Sequence, residues 1–392
     1  MAQPSSRIDL FGDAVLADPW PTYRALRDMG SAVWLEQAGV CFIGRYADVR
    51  RALNDWQVFS SAQGIGFNPM INAAWEEALI CQDPPVHTAR RKLMMEALGP
   101  AALRPVAETI EQRADALAER VAAMGTFDGV ANFAHDLPIG VVMDLIGWPH
   151  DVRPRLLDLA SGSWNAAGPA NARMEQGLTG LQDMMGLLTT LYDEERVLPG
   201  GFAAGLIAAS HRGEITRETA IGMLAGYVVA AFETTISAMA AGLYLFATNP
   251  DQWALLRTDP GLATAAANEI VRMETPLQNF ARVTTRDAEL SDGSIVPAGT
   301  RVVVSYASAN RDERQFDAPD TFRIDRREKQ NLGFGHGPHG CAGQALARME
   351  LTAVFVALAR RIERLELAGT PQRMLNNISR AFSHVPLRAI CD

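Results

Sequence analysis

Cysteine is scarce. Cys41, Cys81, Cys341 and Cys391 are the only four in 392 residues, and no two of them form a CxxC pair. That excludes a disulfide framework, and reduced thiols are expected. Long apolar runs are missing too: the longest, Gly222 to Phe232, falls far short of the roughly 20 residues needed to span a bilayer. Met1 to Asp13 carries one basic residue and no apolar stretch, so neither a signal peptide nor a membrane anchor is expected there, and a cytoplasmic protein is. There is no low-complexity tract, charge block or internal repeat, and no linker-like stretch; a length that would suit two or three domains is therefore read as one domain over residues 1–392. Excess positive charge is absent as well. The net charge of −9 argues against nucleic acid as a partner, while leaving room for a local basic patch that meets an acidic protein.

What is present is concentrated in one stretch, Phe334-Gly335-His336-Gly337-Pro338-His339-Gly340-Cys341-Ala342-Gly343. Four glycines and a proline in ten residues predict a tight loop that lets something bulky approach the backbone. The run after it reads as a helix from near Ala342 through Ala347, Met349 and Leu351. At the start of that helix the Cys341 thiol would feel the positive end of the macrodipole and free N–H groups, which favour thiolate. A thiolate held this way can ligate haem iron axially. The bland alternative is a buried cysteine in a glycine-rich turn.

The spacing Phe, Gly, x, Gly, x, His, x, Cys, x, Gly resembles the haem-binding loop of the cytochrome P450 family in its bacterial form, with every fixed position filled. Companion motifs follow in the family's order and cover nearly the whole chain. His87 and Arg91 lie four residues apart, on one face of a helix that begins after Asp83-Pro84-Pro85. The longest helix is expected over Arg217 to Thr248, stopped by Asn249-Pro250, apolar all round from Met223 to Phe232 and then interrupted by Glu233, Thr234 and Thr235. Ala230-Ala231-Phe232-Glu233-Thr234 resembles the family's central-helix motif, with Ala231 where glycine is commoner. Glu269 and Arg272 form an ExxR pair, followed by Thr275-Pro276, Ala309 to Asp312 and Phe322 to Arg326. Elsewhere a helix is expected over Asp18 to Met29, strands over Ala32 to Glu36 and Val40 to Ile43, a helix over Arg45 to Asn54, an irregular binding-type segment over Phe59 to Ala73, repeated helices from Ala101 to Leu191, strand and turn from Glu289 to Val304, and a hairpin over Met374 to Ala389.

The resemblance implies a mainly α fold with small β-sheets, in which haem b lies between the central helix and the proximal cysteine loop. It implies Cys341 as the iron ligand. It places His87, Arg91, Arg282 and His339 at the propionates, and Phe334, Gly335, Gly343 and Ala231 against the haem. It makes Glu233 and Thr234 a catalytic proton relay, and Glu269, Arg272 and Arg326 a structural network. The activity implied is that of a monooxygenase using dioxygen and two electrons. No flavin or nicotinamide fingerprint occurs in the chain, so a separate ferredoxin and NAD(P)H-dependent reductase are implied, with Arg90, Lys92 and Arg348 as a docking patch. Direct use of peroxide and a non-catalytic haem-thiolate sensor are the alternatives, and the Glu233-Thr234 pair speaks against both.

For the substrate, the resemblance is nearest to bacterial P450s that oxidise or O-demethylate para-substituted aromatics such as benzoates. A buried benzoate needs a cation or several donors, yet Phe59 to Glu76 and Thr219 to Phe232 contain no Lys or Arg. A small neutral methoxylated aromatic, guaiacol- or syringol-like, is therefore expected, with a benzoate or another small hydrophobic molecule as the alternative. Gln63, Phe67, Trp164, Ala167, Phe280 and Ala281 are the expected contacts.

Overall fold

The structure is a computed structural model that describes residues 3–326 and 330–391. Helices dominate, and the sheets are small. The longest helix spans Arg217–Thr248, as its sequence signals require. Thr216 caps its start, its hydroxyl accepting from the Thr219 amide at 3.1 Å, and Pro250 opens the next helix. By length and composition this helix could cross a membrane, but 72% of its most apolar window is buried inside the protein. Its side chains are the centre of the core: Leu224, Val228, Met239, Leu243 and Phe246 are fully buried. The all-round apolar pattern is thus satisfied by protein on every side.

Gly242 lets neighbouring helices come close. A Cβ there would sit 2.3 Å from the Phe355 ring and 2.8 Å from Ile270 Cδ1. Through this gap the central helix packs on Gln344–Ala359, which follows the cysteine, and on Ala263–Met273, which carries the ExxR pair. Phe246 then meets Trp253, Phe322 and Phe355 with ring centroids 5.2–5.3 Å apart.

The largest sheet has six strands in the order Ser5–Ser6, Val33–Leu35, Val40–Ile43, Arg301–Ser305, Asn279–Thr284 and Phe59–Ser60. Its register places Arg282 opposite Val302 and Phe59 opposite Thr284. A three-stranded sheet joins Arg364–Leu367, Pro386–Ile390 and Thr126–Asp128, and the terminal region adds the antiparallel pair Gln372–Met374 and Ala381–His384. Two expectations are refined. Within Ala101 to Leu191, the strand Thr126–Asp128 and a π-helical turn Gly129–Ala134 separate the helices. Phe59 to Ala73 is not irregular throughout, since it contains an edge strand and the start of the helix Pro69–Ala74.

The ExxR pair is buried. Arg272 donates to both Glu269 oxygens at 2.7 and 2.8 Å, and Arg326 adds a third bond to Glu269 at 3.1 Å. Arg272 also donates to the carbonyls of Asn310 and Pro319. The planar guanidinium thus ties one helix to the segment that leads into the cysteine loop. Asn310 continues the link, accepting from the Leu332 amide at 2.7 Å and donating to Thr275.

Candidate active site

Two glycines shape the cysteine loop. Gly335 (φ +69°) and Gly337 (φ +68°) are left-handed, and a Cβ on Gly337 would lie 2.5 Å from the Leu53 carbonyl oxygen. The Cys341 amide donates to the Phe334 carbonyl at 2.7 Å, closing the loop. Cys341 faces a cavity of about 850 Å³ whose opposite wall is the central helix at Ala230, Ala231 and Thr234. The Gly343 and Gln344 amides at the start of the following helix, and the charges of Arg91 and Arg348, pull the thiol pKa down, but burial outweighs them and leaves it raised. The helix terminus alone therefore does not make the thiolate; a metal bound there would.

One edge of the cavity gathers His87, Arg91, Arg282 and His339. The two imidazoles are 4.2 Å apart, and the Nε2 atom of each is buried with no hydrogen-bond partner among the described residues. Among the described residues none of the four forms an ion pair. Burial and the neighbouring Arg282, His87 and Arg91 charges push the His339 pKa down to about 2, and His87 and Arg91 are lowered by burial as well. Two guanidiniums and two buried imidazoles with no carboxylate between them are costly unless a dianion joins them. Two propionates beside an axial thiolate fit this donor set, so the residues present suit haem.

On the distal side Thr234 lines the cavity, its hydroxyl donating back to the Ala230 carbonyl at 2.7 Å. Glu233 points away from the cavity. Its buried carboxylate accepts a hydrogen bond from Ser379 and a longer one, 3.4 Å, from Asn376 Nδ2. Burial lifts its pKa to about 7, against the opposing pull of the Ser379 hydroxyl and the Gly162 amide.

The substrate side is aromatic and aliphatic. Trp75, Trp164, Phe280 and Tyr306 form a continuous series of ring contacts, 5.4–6.0 Å between centroids, and all four line the cavity with Leu181 and Met185. Of the contacts expected from sequence, Trp164 and Phe280 stand in this wall. The other four lie outside the lining. Gln63 is exposed, with its carbonyl accepting from Arg301. Phe67 packs on Phe11 at 5.1 Å, and Ala167 and Ala281 are fully buried, their backbones bonded to Phe67 and Ile65. Trp75, Tyr306, Ser379 and Asn376 were not singled out in the sequence; Trp75 lies two residues beyond the segment Phe59 to Ala73, which was.

Of the docking patch, Lys92 is exposed and Arg348 lies over the Phe334 ring at 4.4 Å. Arg90 is turned to Glu77 and paired with it.

Residues 261–389 match the sequence pattern of the family described as Cytochrome P450. Over 389 residues, covering 98% of this chain and 94% of the relative, the sequence is 36% identical to cytochrome P450 CYP199A2 of Rhodopseudomonas palustris. It is 32% identical to linalool 8-monooxygenase of Pseudomonas putida, with 91% and 89% covered. The ligand-free crystal structure of Mycobacterium smegmatis CYP164A2 superposes with a TM-score of 0.88 at 28% identity, covering 97% of this chain and 98% of that one.

Proposed function

The chain belongs to the cytochrome P450 family, a haem b monooxygenase with a cysteine thiolate as axial ligand, and from that premise we propose that it O-demethylates a small neutral methoxylated aromatic. Cys341 is the ligand, and His87, Arg91, Arg282 and His339 receive the propionates. The haem, when bound, supplies thiolate-assisted activation of dioxygen.

The chain's own residues do the rest. The Trp164 and Phe280 rings hold a flat substrate by offset and edge contacts and keep water from it. Thr234 presents its hydroxyl at the distal wall, where a proton must be delivered, and Glu233 brings protons from the solvent side. Insertion of one oxygen atom into the methyl C–H bond, with two electrons and two protons converting the other atom to water, leaves a hemiacetal. This collapses to the phenol and formaldehyde. The electrons come from a ferredoxin and its NAD(P)H-dependent reductase in the cytoplasm, docking near Lys92 and Arg348.

The observation that carries the choice of a neutral substrate is the lack of a spare cation among the described lining residues. Arg91 and Arg282, with His87 and His339, form the cluster assigned to the propionates, and Arg217, at the start of the central helix, is paired with Asp193 at 2.6 Å. A benzoate would bring a charge into the apolar wall with no partner left for it. The test is a titration of the ferric holoenzyme with a methoxyphenol and a para-methoxybenzoate of matched shape, read as a blue shift of the Soret band. A tight shift with the phenol alone is expected. A shift with the benzoate alone overturns the neutral-substrate reading, and silence with both overturns the methoxyaromatic reading as a whole.

A further inference from the structure

Glu233 is held by neutral groups. Ser379 and Asn376 both reach its carboxylate, and the groups that move its pKa are the Ser379 hydroxyl, the Gly162 amide and burial, with no charged side chain among them. The nearest charge on the same loop, Arg380, is engaged by Glu274 at 2.7 Å. Across the interface Arg173 turns to Asp13, Phe11 and Asn377.

The holder is itself fixed. Asn376 Oδ1 accepts from the Ile378 and Ser379 amides at 2.9 and 3.0 Å, which sets the position of the serine. The next residue, Asn377, is bound to Asn165 twice: its amide donates to Asn165 Oδ1 at 2.8 Å, and its Nδ2 donates to the Asn165 carbonyl at 3.1 Å. Asn165 follows Trp164 directly in the short helix Ser163–Ala167, and Gly162 precedes it. The other end of that short helix is anchored by Asn68, which donates to the carbonyls of Ala166 and Gly168. One hydrogen-bonded unit therefore contains both the aromatic wall of the cavity and the dock of the acid.

We propose that Ser379 and Asn376 are positioning residues that dock the Glu233 carboxyl away from the cavity, and that Asn377 and Asn165 yoke this dock to the Trp164 wall, so that a ring filling the cavity changes what holds the acid. This inference rests on the reading of Glu233 as the proton carrier. It adds where the acid waits and what releases it. Neutral hydrogen bonds suit such a role, because each contributes little net free energy and can be exchanged without stranding a charge.

The experiment is infrared difference spectroscopy of the resting ferric holoenzyme, following the carboxylic C=O band that disappears in Glu233→Gln. Ser379→Ala should move that band to higher frequency and raise the midpoint of its pH titration by about one pH unit, since the lost hydroxyl favoured the charged form. Ser379→Thr should restore both. An unchanged band and midpoint in Ser379→Ala overturn the dock. Phenylimidazole, which ligates haem iron and fills the cavity with a ring, should shift the band in the parent enzyme and leave it in place in Asn377→Ala, with binding verified at the Soret band. A ligand shift that persists in Asn377→Ala overturns the yoke, as does the absence of one in the parent. If Asn377→Ala does not accumulate folded, Asn165→Ala cuts the same link from the other side. Product formed per electron in Glu233→Gln separates the two levels. Unchanged coupling there removes the proton-carrier reading and leaves the dock to stand or fall on the band alone.

Discussion

Thr234 and Glu233 are consecutive, yet one lines the cavity and the other is buried behind it, as the turn of about 100° per helical residue requires. Because the Thr234 hydroxyl is hydrogen-bonded back to its own helix at Ala230, Thr234→Ala should fold normally. The coupled rate should fall by about 10²-fold while oxygen consumption continues; equal product per oxygen in mutant and parent would remove the assignment. Gly337→Ala tests the loop, where a side chain meets both a left-handed φ and the Leu53 carbonyl. Haem content per protein, read from the Soret to protein absorbance ratio, should drop severalfold. These residues were legible because their spacing is short and fixed. The partners of Glu233 were not, since Ser379 and Asn376 join it only through the fold, more than 140 residues later in the chain. The segment Phe59 to Ala73 was legible as a binding-type loop, but not the roles of its polar residues. Ser60 and Asn68 are engaged by Asp83 and by the Ala166 and Gly168 carbonyls, because a buried irregular backbone must satisfy its own polar groups before it can serve a ligand.

At the scale of elements, the central helix was expected over Arg217 to Thr248 with its stop read from Asn249-Pro250, and the structure places both ends at the same residues, adding the Thr216 cap. The strand Asn279–Thr284, which carries Arg282, was not read as a strand. All six of its residues are buried, so the sequence shows no alternation to mark it. The ExxR pair was visible as a motif and Arg326 was expected in its network, but its burial and the Asn310 and Pro319 carbonyls that Arg272 reaches are tertiary facts. Gly242 belongs to this scale too, since nothing in its sequence surroundings marks it as a helix-crossing point. Gly242→Ala gains helix propensity but forces the Phe355 ring and Ile270 to move. The overpacking should win, at about 1–3 kcal/mol, seen as a lower thermal midpoint at unchanged haem content. A higher midpoint would mean that the three helices are less closely fitted than the distances state.

The arrangement of the whole molecule is harder to read than its parts, because adjacent strands of the main sheet come from opposite ends of the chain: Val40–Ile43 lies beside Arg301–Ser305. The same long-range folding buries acids that look like ordinary surface residues in the sequence. Glu350, on the helix after the cysteine, has neither oxygen hydrogen-bonded among the described residues, and burial raises its pKa to about 8; Glu233 is raised to about 7. Glu274 is equally buried but is held below the usual carboxylate range by Arg380, Arg373 and Arg311. A carboxyl whose folded pKa exceeds its unfolded value binds more protons when native. Its contribution to stability is therefore full below about pH 4.5 and is lost as the pH rises, at about 1.4 kcal/mol per pH unit for each such group, until the folded pKa is passed. The holoenzyme should thus lose stability between about pH 5 and pH 8 and then level off, measured as the denaturant midpoint at a series of pH values. Glu350→Gln cannot ionise, so it should flatten the upper part of that slope, from about pH 7 to pH 8, whatever the absolute cost of burying an amide there. A slope unchanged in Glu350→Gln would mean that the acid finds a partner in the holoenzyme, and that the charge balance around the haem extends beyond the four residues proposed at the propionates.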